Sequence, residues 1–268
     1  LSVAAIALVC LLPGCSDKPE SINPGNVRTI ITSDTILSDM MTSLLPRSRY
    51  SIEAIFPPGQ CPGHYDVKLT DIEKMKKAVL IVSFRGMSFM ETTGMDDRRQ
   101  LVIDPEGRNW MVPDSYVKGL TLLAEQLSKH FPEDGAEIAR RKEQAILLVK
   151  KGSEALVQKV TGAGLSGKPV IASSMQKEPL EWMGFMVVAE YGRQEAMSTR
   201  EVVRLADIGK DRGVIMVVDN IQSGPDAGKG IAETLRAPHV VLTNFPSERG
   251  YLATLQENVD ALLSAVRK

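Results

Sequence analysis

The feature that most constrains the fold is a long amphipathic stretch near the middle of the chain, from about Gly135 to Thr161. Apolar residues such as Ile138, Leu148 and Leu156 share one face, and basic residues such as Lys150 lie mostly on the other. At about 1.5 Å per residue, a helix of this length measures roughly 40 Å, which is more than one small lobe needs. The stretch therefore predicts a helix that bridges two lobes.

Short β-rich runs alternate with helical patterns on both sides of this stretch, and that alternation is typical of βα units with parallel sheets. The predicted strands are Val27–Thr32, Ser51–Phe56, Ala78–Phe84 and Gln100–Ile103, then Pro169–Ser173, Phe185–Ala189, Val214–Asp219 and His239–Thr243. Further helices are predicted after Pro113 and near Thr199–Lys210, Asp226–Leu235 and Arg249–Val266. We predict an α/β protein with two βα lobes, parallel sheets, one long backbone helix joining the lobes and a ligand cleft between them.

The first residues predict export and lipidation. Leu1–Leu12 is apolar but too short to span a bilayer as a mature helix, and it fits the core of a signal peptide. It is followed by Pro13-Gly14-Cys15, which resembles a bacterial lipobox, where the cysteine carries lipid. A polar segment rich in turn formers then continues to Asn26, as expected of a tether.

These features together predict the domain boundaries. We expect a signal peptide over 1–14, a lipid-anchored tether over 15–26, an N-terminal lobe over 27–134, a linking helix over 135–162 and a C-terminal lobe over 163–268. The protein is then expected in the periplasm or on the outer face of the cytoplasmic membrane, held through lipid on Cys15.

Charge and cysteine usage narrow the partners and the chemistry. The 32 Lys+Arg against 33 Asp+Glu leave no basic footprint for nucleic acid, and we expect a monomer. Only three His and three Cys are present, so a zinc cluster made wholly of these residues has few possible members. Because Cys10 falls in the signal and Cys15 carries lipid, Cys61 is the one thiol left for a site.

The loop after the second predicted strand is the best candidate for binding. Loops at the carboxyl ends of parallel strands are where open α/β sheets bind ligands. Within this loop Cys61 and His64 have the spacing C-x-x-H, which lets a thiolate and an imidazole meet one cation. Two ligands do not make a closed site, and a proline-rich turn with a packed histidine remains the alternative.

The phrase PPGQCPGHYDVKLTDIEKMKKAVLIV, with Trp110-Met111-Val112-Pro113 and Tyr191-Gly192 further along, resembles the zinc and manganese solute-binding lipoproteins of bacterial ABC importers, the ZnuA/TroA-like family. The likeness runs from Val27 to Lys268 and depends on the order of the motifs. It implies two α/β lobes on a rigid helix, with a transition metal ion held between them as transported ligand. An ABC permease and its ATPase are the implied partners, and no enzymatic activity is implied.

The resemblance also locates the family's metal ligands in this sequence. The histidine of the metal loop matches His64, and a histidine two residues before a tryptophan falls on Arg108. The third ligand falls on Met175 or Gln176, and the fourth falls on Asn244. We therefore expect most of the family's ligands to be replaced in this chain.

Two interpretations of this replacement stay open. In the first, softer donors rebuild the site, with Cys61, His64, Met175 and Asn244 as metal ligands, a set that favours zinc or copper(I). In the second, the cleft binds an anionic ligand or a metal chelate, because an arginine cannot ligate a metal but clamps anions. Arg108 and Arg85 are then the clamps. Gln176 and Asp219 are further cleft candidates, although Asp219 also suits a turn or a helix cap.

An enzyme and a metallochaperone are the two alternatives to a transport receptor. An enzyme with Cys61 as nucleophile and His64 as base has both groups on one tight loop, and no third residue orients them. We therefore predict that the chain is not an enzyme. A metallochaperone without an importer uses the same two residues, and it differs from a transport receptor only in its partners.

Overall fold

Two four-stranded parallel sheets organise the chain, with strand orders β2-β1-β3-β4 and β6-β5-β7-β8. The computed structural model describes residues 27–91 and 97–266, so the predicted signal peptide, the lipidated Cys15 and the tether lie outside the described residues. The strands are β1 (Arg28–Thr32), β2 (Tyr50–Ala54), β3 (Leu80–Phe84), β4 (Gln100–Ile103), β5 (Pro169–Ser173), β6 (Met186–Tyr191), β7 (Val217–Asn220) and β8 (His239–Leu242).

Helices connect the strands and cover both sheets. They are α1 (Thr35–Leu44), α2 (Leu69–Lys77), α3 (Ser88–Glu91), α4 (Pro113–His130), α5 (Gly135–Gly162), α6 (Lys177–Trp182), α7 (Thr199–Arg212), α8 (Lys229–Leu235) and α9 (Tyr251–Val266). The α/β class, the parallel sheets and the long helix predicted from the sequence are confirmed. All eight strands fall within three residues of their predicted starts and ends.

Helix α5 is the scaffold on which the rest of the fold is assembled. It packs against α1, α4 and α9, so elements from both halves of the chain share it. Helix α9 returns to the first half, where the ring of Tyr251 stacks on that of Tyr116 with centroids 3.8 Å apart. The Tyr251 hydroxyl also donates to the Met111 carbonyl oxygen at 2.9 Å. The last helix therefore ties the second half of the chain to the first.

A buried carboxylate fixes the start of α5 to the first sheet. Asp134 is 1% exposed and accepts from the Tyr50 hydroxyl at 2.5 Å and from Arg28 at 3.2 Å, and it also pairs with Arg49. Burial and the hydrogen bond to Asp134 raise the pKa of Tyr50 above its ordinary value. Three donors around one buried carboxylate hold β1 and β2 in place against the scaffold helix.

Within residues 27–91 and 97–266, no helix combines the length and the hydrophobicity that a bilayer crossing requires.

Candidate ligand site between the two lobes

A cavity of about 360 Å³ lies between the lobes, at the carboxyl ends of strands from both sheets. The first lobe contributes the loops that follow β3 and β4, over residues 85–87 and 105–110, together with Ile36 at the start of α1. The second lobe contributes residues 174–178 after β5 and residues 244–245 after β8. Parallel strands bring these separate loops together because their carboxyl ends share one edge of each sheet.

Among the described residues, two arginines and one carboxylate supply the formal charges of the cavity wall. Arg85 lies 3.3 Å from the carboxylate of Asp104, and Arg108 lies 2.7 Å from that of Glu106. Neither acid lines the cavity, whereas Glu178 does. Because both ion pairs are solvent-exposed, they contribute little to stability, and the arginines remain available to other anions.

Aromatic side chains form much of the remaining wall. Trp110 packs against Phe84 with ring centroids 4.8 Å apart, and both residues are more than nine-tenths buried. Trp110 fits here because Gly119 of α4 has no side chain: a Cβ at that position would lie 2.1 Å from the indole ring. The indole Nε1 of Trp110 and the Oδ1 of Asn244 are buried without a hydrogen-bond partner. The wall thus combines apolar surface with unpaired polar atoms.

Asn109 joins the two lobes at one end of the cavity. Its Nδ2 donates to the Met175 carbonyl oxygen at 2.8 Å, and its backbone N–H donates to the Glu178 carboxylate at 3.3 Å. Its Oδ1 accepts from the Met111 N–H at 3.0 Å, which fixes the side chain. Sequence reasoning missed Asn109, since a single asparagine in a loop carries no periodic or motif signal.

The loop that carries Cys61 and His64 touches the second lobe beside the cavity. Cys61 is a partly buried free thiol, and its Sγ accepts from Arg193 Nη1 at 3.2 Å. His64 is exposed and ends the short 3-10 turn Pro62–His64. Neither Cys61 nor His64 lines the cavity.

Hydrogen bonds to Asp71 anchor the far end of this loop on α2. The Tyr65 hydroxyl donates to the Asp71 carboxylate at 2.8 Å, and the backbone N–H of Lys68 donates to the same oxygen at 3.0 Å. Burial, and then the hydrogen bond to Asp71, raise the pKa of Tyr65 to about 12. Tyr65 therefore stays protonated at neutral pH and remains a donor that holds the loop.

Gln222 connects the Cys61 loop to the cavity wall. Its Nε2 donates to the Pro58 carbonyl oxygen and, at 2.8 Å, to Thr243 Oγ1, while its Oε1 accepts from the Asn244 N–H at 3.0 Å. Phe56 also packs against Phe245 of the cavity wall, with ring centroids 5.4 Å apart. The Cys61 loop and the cavity are therefore neighbours, separated by this aromatic contact.

Comparison with known proteins places this architecture in a family. The family model described as "Zinc-uptake complex component A periplasmic", ZnuA, matches residues 30–265. The chain belongs to the ZnuA family. ZnuA-family proteins are periplasmic metal-binding components of ABC systems for zinc or manganese uptake, and they work with a permease and an ATPase. The family consists of solute-binding proteins and not of enzymes.

Solved structures of metal-binding proteins share the ZnuA-family fold of this chain. A ZnuA deletion mutant with zinc bound has a TM-score of 0.75 at 14% identity, covering 90% of this chain and 98% of that one. The periplasmic zinc-binding protein TroA from Treponema pallidum has a TM-score of 0.72 at 13% identity, covering 90% and 99%. The manganese-bound periplasmic metal-binding protein from Candidatus Liberibacter asiaticus has a TM-score of 0.73 at 13% identity, covering 88% of this chain and 98% of that one. At sequence identities of 13–14%, these structures show a shared fold and nothing more. A separate comparison with curated proteins found no match to the chain.

The structure distributes the predicted ligand positions of this ZnuA-family chain over three places. Arg85, Arg108, Met175 and Asn244 line the cavity, and Cys61 and His64 lie on the neighbouring loop. Gln176 is 1% exposed, and its Nε2 donates to Asn220 Oδ1 at 2.9 Å. Asp219 is fully buried inside the second lobe and does not line the cavity.

The donor set around the cavity differs from that of a closed metal site. In the part of the chain that the structure describes, no group of three or more His, Cys, Asp or Glu side chains is placed to hold a metal ion. Met175, 43% exposed, offers one thioether, and Asn244 offers one amide. The geometry therefore presents a few scattered donors beside two arginines.

Proposed function

We propose that the chain is the extracytoplasmic binding component of an ABC importer, which captures a transition metal between its lobes and delivers it to the permease. The observation that supports this proposal is the open cavity at the carboxyl ends of strands from both sheets, lined by loops of both lobes. Lipid on Cys15 would hold the receptor near the membrane, because a long polar tether follows that residue.

We propose zinc, or a soft metal such as copper(I), as the ion, with Cys61, His64, Met175 and Asn244 as its donors. Thiolate, imidazole and thioether groups favour these metals over manganese. Cys61 and His64 lie within one turn of a loop that already contacts the second lobe through Arg193. Since the Phe56–Phe245 contact separates this loop from Met175, capture of one ion by all four donors requires the loop to move past that contact.

The experiment is a titration of the purified, reduced protein with Zn²⁺ and with Cu⁺ in competition with a chromophoric chelator. Cys61→Ser and His64→Ala are each expected to weaken binding by at least about tenfold, because each removes a donor of the metal. His130→Ala is the matched control, since His130 is an exposed histidine at the end of α4. Unchanged affinity in both loop variants would overturn the proposed donor set.

A further inference from the structure

We infer that the metal enters the interlobe cavity as a complex with a small anionic chelator that bears carboxylates, and that Arg85 and Arg108 bind the chelator. This inference rests on the proposed metal cargo and specifies the chemical form in which the cavity receives it. The size of the cavity, the charge of its wall and the small number of metal donors on that wall all favour a chelated ion.

The cavity is too large for a metal ion alone. Its volume of about 360 Å³ equals the share of liquid volume of roughly a dozen water molecules. A metal ion held directly by protein side chains has its ligand atoms at about 2.0–2.6 Å and leaves little free space. Clefts that bind small organic molecules have volumes of about 300–1,000 Å³. The size therefore fits an organic ligand around the metal.

The charge of the wall favours an anion. Arg85 and Arg108 line the cavity, whereas Glu178 is the one carboxylate that the described residues contribute to the lining. A guanidinium repels an uncomplexed cation, but its planar fork matches a carboxylate. The acids that pair with the two arginines, Asp104 and Glu106, are mostly exposed, at 58% and 61% of their side chains. Exchange of such hydrated partners for a ligand carboxylate costs little.

The remaining wall suits the organic part of such a complex. Phe84 and Trp110 provide flat apolar surface, and Asn109, Ser174 and Asn244 add amide and hydroxyl groups to the lining. A chelator with carboxylate and hydroxyl groups carries the complementary acceptor and donor. Polar groups at fixed points on an apolar wall are how small-molecule sites orient their ligands.

The scarcity of protein donors completes the argument. The described residues contain no trio of His, Cys, Asp and Glu side chains arranged for a metal. On the lining, Glu178 provides one carboxylate, Met87 and Met175 provide thioethers, and Asn109 and Asn244 provide amides. A chelator supplies most coordinating atoms itself, so a chelated metal needs few donors from the protein. The same wall that is poor in ligands for a bare ion is therefore adequate for a complex.

The test compares three probes by isothermal titration calorimetry with the full chain: Zn²⁺ alone, citrate alone and zinc citrate at a fixed excess of citrate. We expect zinc citrate to bind at least tenfold more tightly than Zn²⁺ alone. Arg108→Gln is expected to lower the affinity for zinc citrate by at least tenfold and to raise that for Zn²⁺, because a repelling charge is removed. Arg212→Gln, an exposed arginine at the end of α7, is the control and changes neither.

The outcomes separate this inference from the proposed function. Tight binding of Zn²⁺ alone with no gain from citrate would overturn the chelate inference and leave the metal receptor standing. An Arg108→Gln variant with the wild-type ratio of the two affinities would also overturn it. Binding of citrate alone as tight as that of zinc citrate would overturn both proposals. No binding of any probe would overturn the chelate inference, and the titration with Cu⁺ would then decide the metal receptor.

Discussion

The imidazole Nε2 of His239 lies 2.6 Å from the Oδ2 of Asp219, inside the second lobe. Asp219 is the last residue but one of β7 and is fully buried. It also accepts from the Tyr191 hydroxyl and from the Gly228 N–H, both at 2.8 Å. Burial, followed by the neighbouring Asp219 charge, raises the pKa of Tyr191 well above its ordinary value, so the phenol remains a donor. The Asp219 carboxylate thus connects β6, β7, β8 and Gly228, the residue that precedes α8.

Asp219→Asn is expected to destabilise the fold by about 2–4 kcal/mol, because an amide cannot accept from all three donors and leaves a buried group unpaired. Metal affinity of the folded variant is expected to match the wild type, since Asp219 does not line the cavity. Chemical denaturation and zinc titration measure the two effects, with the exposed Asp226→Asn as control. Lost zinc binding in a stable Asp219→Asn variant would instead place Asp219 among the ligands.

Gly119→Ala tests the link between helix packing and the cavity. The added Cβ would lie 2.1 Å from Trp110 Cζ3 and 2.8 Å from Met40 Cε, so the indole must shift. We expect a loss of about 1–3 kcal/mol from overpacking and a change in tryptophan fluorescence, since the chain has two tryptophans. Gly135→Ala is the control, because nothing lies within 4 Å of its Cβ position. Equal spectra for the two variants would contradict the packing argument.

Glu137 gives a prediction for the pH dependence of stability. The hydrogen bond from Arg140, the largest cause, and that from Arg141 lower the pKa of Glu137 from 4.5 to about 2. A lowered carboxyl pKa stabilises the fold above the unfolded value, and that stability is lost as pH falls from about 4.5 to about 2.

Glu137→Gln should therefore cost up to about 1 kcal/mol at pH 7, since these ion pairs lie at the surface and are only partly buried. The cost should shrink as the pH falls to about 2. Thermal unfolding across this pH range measures it, with the exposed Glu154→Gln of the same helix as control. A cost that is the same at pH 7 and near pH 2 would show that the ion pairs are not its source.

The strands and the scaffold helix were predictable because burial leaves a local trace in the sequence. Runs such as Leu80–Phe84 are buried along their whole length and apolar except for Ser83, since both faces of a parallel sheet are covered. The prediction omitted α1, although its buried Ile36, Leu37, Met40, Met41 and Leu44 follow helical spacing. The N-cap of α1 could also have been predicted, because aspartate is a preferred residue at that position. In the structure Asp34 Oδ1 accepts from the N–H groups of Ile36 and Leu37.

The candidate site was only partly predictable. The family resemblance led to Arg108, Met175 and Asn244, and the anion interpretation added Arg85; the structure places these four on one cavity. The sequence did not identify Asn109, Arg193 or Gln222 as site residues. Their contacts join positions 66 to 164 residues apart in the chain. Contacts of that separation depend on how the lobes meet, and no local pattern records it.

By itself the sequence determined two βα lobes on one long helix, because hydrophobic periodicity and turn formers act within a few residues. Only the tertiary structure decided that the Cys61 loop lies beside the cavity, behind the Phe56–Phe245 contact, and that Asp219 faces His239. The physical reason is that side chains on different strands meet according to sheet order and lobe packing, which are properties of the whole chain.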